Sequence, residues 1–252
     1  MIQREDRGPI AVLRLAHGKA SALDTELLEA LDRCLRELDE ARPEAVVLTG
    51  TGSIFSAGVD LLRVLDGGTG YLAGFLPLLA RAVRRLFAFP RPVVAAVNGH
   101  AIAGGCILAC ACDLRIMAAG EGRIGVPELR VGVPFPVAQL EVLRFAVPPQ
   151  HLQKLAYTGR TYGAAEALEW GLVDEVVAPD RLLERALEAA GQLAAIPGAS
   201  FELTKAQLRR PTLERIDALH DELEPRVAAQ WASPGVQEHL RDYVDRTLRK
   251  QG

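Results

Sequence analysis

The chain has 252 residues, 49% of them hydrophobic and 24% charged, with a formal net charge of −3. That composition is globular, is long enough for a large core, and offers nucleic acid no basic excess. No apolar run reaches the roughly 18 residues of a membrane span, and the N-terminus MIQREDRGPI has no signal-like apolar stretch, so a soluble cytoplasmic protein with no membrane or nucleic-acid partner is expected. In chain order, residues 9–16 (PIAVLRLA) read as a strand. Residues 24–41 read as a helix: Leu27, Leu28, Leu31, Leu35 and Leu38 recur at three- and four-residue steps behind Asp24, a good N-cap. EAVVLTG (44–50) reads as a buried strand, 51–70 as a long Gly/Ser/Asp loop, and 71–89 as an amphipathic helix stopped by Pro90. Further strands are expected at 92–99, 113–119 and 173–178.

Strands alternating with helices predict an α/β fold with largely buried sheets. After residue 179 only helical patterns remain, punctuated by Pro197, Pro211 and Pro234. An α/β core over residues 1–195 and a helical C-terminal region over 196–252 are therefore expected. Of the four cysteines, Cys106, Cys110 and Cys112 share one apolar run and Cys34 stands alone. No His or further Cys flanks them at metal-ligand spacing, so they read as core, and neither a metal nor a redox cofactor is implied.

Chemistry concentrates at two glycine-bearing places. In AIAGGCILACACD (101–113) a glycine pair, Gly104 and Gly105, opens a helical run. The first N–H groups of a helix have no internal partner, and a glycine lets a ligand approach them. In GSIFSAGVDLL (52–62) the small residues Ser56, Ala57 and Gly58 expose backbone at Val59, just after a strand. Two backbone amides from two strand ends are the parts of an oxyanion hole. Each motif alone is more often a sign of tight packing than of a ligand site.

Together and in this order the motifs resemble the crotonase family, the enoyl-CoA hydratases and isomerases. The resemblance rests on FSAGVDL (55–61), VVAAVNGHAIAGGC (93–106), CDLRIMA (112–118), GVPELRVGVP (125–134) and TGRTYGAAEALEWGLVDEVV (158–177), and it covers nearly the whole chain. It implies a crotonase-like spiral of ββα turns with a helical C-terminal trimerisation region, a homotrimer or dimer of trimers, and an acyl-CoA thioester as substrate, with coenzyme A entering only as part of that substrate. It implies that the Val59 and Gly104 amides hold the thioester oxygen. Of two glutamates that work in the hydratases, one position is Glu128 here; the other is Ile107. Relatives with a single glutamate and an apolar residue at the other place are Δ3,Δ2-enoyl-CoA isomerases. The resemblance therefore implies that a 3-enoyl-CoA is converted to the 2-enoyl-CoA with Glu128 as the one acid/base, its pKa raised by an apolar surrounding. The alternatives are hydration by Glu128 alone, thioester hydrolysis or decarboxylation in the same hole, and a non-catalytic acyl-CoA-binding member.

The resemblance also assigns a substrate-binding shell: Lys19, Ala20 and Ala22 toward coenzyme A; Ser56, Ala57, Gly58, Asp60 and Leu61 around the first amide; Gly105 and Ile107 behind the second; and Pro127 and Phe135 beside the acyl chain. Asp60 reads as a loop-orienting acceptor and His100 as structural. Lys205, Arg246, Arg249 and Lys250 read as solvated surface, and Trp231 and Tyr243 as packing.

Overall fold

The computed structural model describes residues 1–247. It opens with an antiparallel pair, β1 (Ile2–Arg7) and β2 (Ile10–Leu15), followed by helix α1 (Thr25–Ala41). Asp24 caps α1 by accepting the Leu27 N–H at 2.8 Å, and the leucines at helical spacing are buried. Three ββα turns follow. The first is β3 (Ala45–Thr49), β4 (Ile54–Ser56) and α2 (Leu61–Ala88). The second is β5 (Val93–Val97), β6 (His100–Ile102) and α3 (Gly104–Ala111). The third is β7 (Leu114–Ala118), β8 (Arg123–Gly125) and the short α4 (Glu128–Val131). Helices α5 (Val137–Ala146) and α6 (Pro149–Thr158) precede β9 (Thr161–Gly163), α7 (Ala164–Glu169) and β10 (Glu175–Val177). The chain ends in α8 (Leu182–Ala194), α9 (Gly198–Trp231) and α10 (Pro234–Thr247).

The two strands of each turn go to different sheets. The larger has the order β1-β2-β3-β5-β7-β10, parallel except at β1; the smaller has the order β4-β6-β8-β9, with β4, β6 and β8 parallel. Strands β3 and β5 are buried throughout because α8 covers one face (Val47, Val94 and Ala96 meet Ala186, Ala189 and Ala190) while the main core lies on the other. Because β4, β6 and β8 run side by side in one direction, the segments leaving them, 57–60, 103–105 and 126–128, emerge along one edge. That edge forms the site.

Three elements differ from the sequence expectation. Residues 51–70 are not one loop: they hold the three-residue β4, too short to show a period, and the first turns of α2, which Asp60 caps through the Arg63 N–H at 3.0 Å. The break sits at Gly68, with φ 55° and ψ −146°. Pro211 does not end a helix; α9 runs on through Pro211 and Pro225. An interior proline costs about 3 kcal/mol. Here the helix is pinned N-terminal to the proline by Lys205 and Arg209 and beyond it by buried Thr212, Ile216 and Trp231.

Lys205 is likewise not solvated. It is 6% exposed and donates to Asp113 Oδ2 at 2.6 Å and to the Arg91 carbonyl at 2.9 Å, while Arg209 holds Asp113 Oδ1 at 2.7 Å. Lys205→Met leaves Asp113 with Arg209 and with the Val93 N–H, which also reaches Oδ2 at 2.7 Å. The loss therefore falls at the lower end for a buried polar contact, about 1–2 kcal/mol, read as a lower urea midpoint with an unchanged m-value. Arg246 stays on the surface, its Nε donating to the Asp242 carbonyl at 2.9 Å; Arg249 and Lys250 lie outside the described residues.

Candidate active site

A cavity of about 550 Å³ opens along the edge where β4, β6 and β8 end. Its first wall is the segment after β4. Leu23 and Val59 form an isolated parallel bridge: the Leu23 N–H donates to the Gly58 carbonyl at 2.7 Å, and the Asp60 N–H to the Leu23 carbonyl at 3.0 Å. Both hydrogen bonds use the neighbours of Val59, so the Val59 N–H itself is turned away from Leu23. Val59 lines the cavity, and no hydrogen-bond partner among the described residues takes its N–H.

The second wall is the start of α3. Ala103 has φ 52° and ψ −123°, a conformation costing about 1–3 kcal/mol for a residue with a side chain. Its N–H is held by the Gly125 carbonyl at 2.8 Å, and its own carbonyl accepts the Ile107 N–H that begins the helix. The turn delivers the Gly104 N–H, also without a partner among the described residues, to the positive end of an eight-residue helix. Ser21 is a second strained residue (φ 44°); it sits under the same loops, where its carbonyl accepts the Ser56 hydroxyl at 2.7 Å.

The two walls touch through glycine. A Cβ on Gly58, whose φ is +82°, would fall 2.5 Å from the Ile102 carbonyl oxygen, 2.8 Å from the Ala103 Cβ and 3.2 Å from the Gly104 nitrogen. The glycine pair divides its work. Gly104 faces the cavity against Leu23. Gly105 lies over Ser56, whose carbonyl oxygen a Cβ there would meet at 2.3 Å.

The third wall carries Glu128, the first residue of α4, supported by Pro127. Glu128 is 8% exposed, and its Oε2 is sealed without a partner among the described residues. Burial pushes its carboxyl from 4.5 up to about 8, only partly opposed by a hydrogen bond from its own backbone N–H. The other acidic residue in the wall, Asp60, is occupied as the α2 cap. His17, also in the wall, is hydrogen-bonded to Asp24 at 2.6 Å. The cavity thus holds one uncommitted carboxylate and two uncommitted amides.

Of the residues expected at the site, Lys19, Ala20, Ala22, Ala57, Val59, Asp60, Leu61, Gly104, Pro127 and Glu128 line the cavity. Five expected residues stand outside its wall. Ser56 and Gly58 lie behind the first amide, with the Gly58 N–H donating to the Ser56 hydroxyl at 3.2 Å. Gly105 packs on Ser56. Ile107, one turn into α3, is fully buried in the main core. Phe135 borders a separate groove between α5 and α9 with Val137, Leu219 and Leu223, because the chain from Pro134 to Pro136 carries it to the far side. His100 is outside the wall. Trp231 and Tyr243 do line the cavity, which packing alone did not anticipate. Gln139, a polar residue on the buried face of α5, was not foreseen either.

Comparison with known proteins agrees with this geometry. The enoyl-CoA hydratase/isomerase family profile matches residues 5–247. A probable enoyl-CoA hydratase of Rhizobium meliloti is 38% identical over 84% of this chain and 80% of its own length. The human mitochondrial enoyl-CoA delta isomerase 1 is 28% identical over 100% of this chain and 84% of its own. The crystal structure of human mitochondrial delta3-delta2-enoyl-CoA isomerase superposes with a TM-score of 0.95 at 28% identity, covering 100% of this chain and 99% of that one. A probable enoyl-CoA hydratase from Mycobacterium tuberculosis superposes at 0.84 and 30% identity, covering 89% and 95%.

Proposed function

We propose that this chain, which belongs to the enoyl-CoA hydratase/isomerase family, converts 3-enoyl-CoA thioesters to 2-enoyl-CoA thioesters. The observation that carries the reading is the buried, uncommitted Glu128 carboxyl sharing one cavity with the free Val59 and Gly104 amides. In this reading the thioester oxygen accepts both amide N–H groups, and Glu128 takes a proton from C2. The electron pair moves into the carbonyl to give a dienolate held by the two amides and the α3 N-terminus. The acid form of Glu128 then returns the proton to C4, and the double bond lies between C2 and C3. One group gives back what it took, so no second carboxylate is needed. A carboxyl titrating near 8 suits both halves of that exchange. The match along 100% of this chain to a delta isomerase supports the same choice.

The lining residues His17, Gly18, Lys19, Ala20 and Ala22 are proposed to meet the coenzyme A portion. Hydration by Glu128 alone is the second reading, favoured by the hydratase name of a 38% identical relative. A cytoplasmic homotrimer or dimer of trimers belongs to the same proposal. Among the described residues no helix is long and apolar enough to cross a membrane.

The pH dependence follows directly. Only the carboxylate form of Glu128 can take the C2 proton, and ionisation is completed above about 8. The kcat/KM for conjugating 3-hexenoyl-CoA, followed by ultraviolet absorbance, is expected to rise about tenfold per pH unit up to about pH 8 and then level off. A profile already flat at pH 6 would overturn the raised pKa of Glu128.

A further inference from the structure

Exposure divides the lining of the cavity in two. The part proposed to meet coenzyme A is open: Gly18, Lys19, Ala57 and Leu62 are exposed, and Val59 and Leu61 half-buried. The part contributed by α2, by the chain just after Glu128 and by α9 is closed: Leu79, Val131, Val133, Pro136 and Trp231 are all buried. Trp231 is fixed as well as buried. Its Nε1–H donates to the Pro134 carbonyl at 3.0 Å, and its own carbonyl accepts from Gln237 Nε2 at 2.8 Å. Tyr243 breaks the pattern. It stands on α10, which packs against α2, α4 and α9 and buries Val236, Leu240 and Val244. Tyr243 packs on the same core and lines the same cavity, yet it is only half-buried.

We propose that Tyr243 is a specificity-determining residue: its ring closes the acyl end of the cavity and limits the substrate to short-chain thioesters. The inference rests on reading the cavity as an acyl-CoA thioester site. The proton shuttle fixes the course of the chain. Glu128 must reach both C2 and C4, so the carbons from C5 onward run past it, among the apolar residues that follow it in the wall. There each buried methylene tightens binding about fourfold. The volume sets the scale. About 550 Å³ suits one drug-sized ligand, and the thioester with the end of the pantetheine arm takes part of it. A longer chain needs more room, and the buried residues give none, because they are backed by a core packed as densely as an organic crystal. Tyr243 has solvent on one side. A chain that outgrows the closed part therefore meets this ring and must displace it.

Saturated thioesters separate chain length from turnover. Dissociation constants of hexanoyl-CoA, octanoyl-CoA, decanoyl-CoA and dodecanoyl-CoA would be measured by calorimetry on the wild type, Tyr243→Ala and Tyr243→Phe. In the wild type the gain in affinity with added carbons is expected to stop before dodecanoyl-CoA. Relative to hexanoyl-CoA, Tyr243→Ala is expected to bind dodecanoyl-CoA about tenfold more tightly than the wild type does, because the last methylenes then lie where the ring was. Tyr243→Phe keeps the ring and is expected to keep the wild-type series. Should Tyr243→Ala fail to fold, Tyr243→Val carries the same test. A wild-type affinity that climbs steadily through dodecanoyl-CoA would overturn the inference. So would a dodecanoyl-to-hexanoyl ratio unchanged by loss of the ring, since mere loosening of α10 weakens all four ligands together, or a Tyr243→Phe series that matches Tyr243→Ala. A length limit set by Tyr243 in a protein that conjugates no 3-enoyl-CoA would sink the isomerase reading and leave the closure standing; failure to bind any of the four would overturn both.

Discussion

Glu128→Gln is expected to lower kcat for 3-hexenoyl-CoA by roughly 10²–10⁴ while leaving thioester binding within a few-fold of wild type. The amide fills the same space and cannot take a proton from C2. The same substitution is expected to stabilise the fold at alkaline pH. Burial raises the Glu128 carboxyl from 4.5 to about 8, so the folded chain holds that proton more tightly than the unfolded chain. The stability that comes with the protonated form is fully present below about pH 4.5 and is lost as pH rises through about 8. The shift corresponds to a loss on the order of 5 kcal/mol, which the neutral amide does not incur. Chemical denaturation of both proteins at pH 5 and pH 9 should show the variant's relative stability rising between the two. A base that destabilises its own fold when ionised is the expected trade between activity and stability.

Gly58→Ala is expected to cost about 10²–10³ in kcat, the usual loss when one oxyanion donor is displaced, together with about 1–2 kcal/mol for a side chain at positive φ. The new methyl would press on the Ile102 carbonyl and on Ala103. Neither can yield without moving Gly104, so the two amides would separate. Gly52→Ala is the matched control. Gly52 has φ +60°, but a Cβ there meets nothing within 4 Å. That variant is expected to lose stability of the same order and keep its kcat. Equal activity losses in both would mean that backbone strain, rather than amide spacing, sets the rate.

The site was legible in sequence where chemistry depends on residues with little freedom. Gly58, Gly104 and Glu128 occupy places that a close backbone approach and a buried carboxylate require, and their order along the chain matched a known family. The long helices were legible because their apolar periods are strong: α1 follows its leucines turn by turn. Three-residue strands such as β4 carry no period, and α9 passes through Pro211 only because a buried ion pair at Asp113 anchors it from a distance no sequence window spans. Ile107 and Phe135 were assigned to the site by the family resemblance alone. One helical turn and one proline-bounded corner take them to the core and to another groove. Gln139 did leave a signal, since it falls on the same helical face as Val142 and Leu143, all buried.

The central claim is that one carboxylate suffices for a proton shuttle from C2 to C4 and is insufficient for adding water. Asp60, the other acidic group in the wall, is committed to capping α2, which leaves Glu128 as the carboxylate free to act. The most direct measurement incubates the purified protein separately with 3-hexenoyl-CoA and with crotonyl-CoA, and follows both by mass and ultraviolet absorbance. The account predicts conjugation at constant mass from the first and no gain of water by the second. Water added to crotonyl-CoA at a rate comparable to, or faster than, conjugation of 3-hexenoyl-CoA would contradict it.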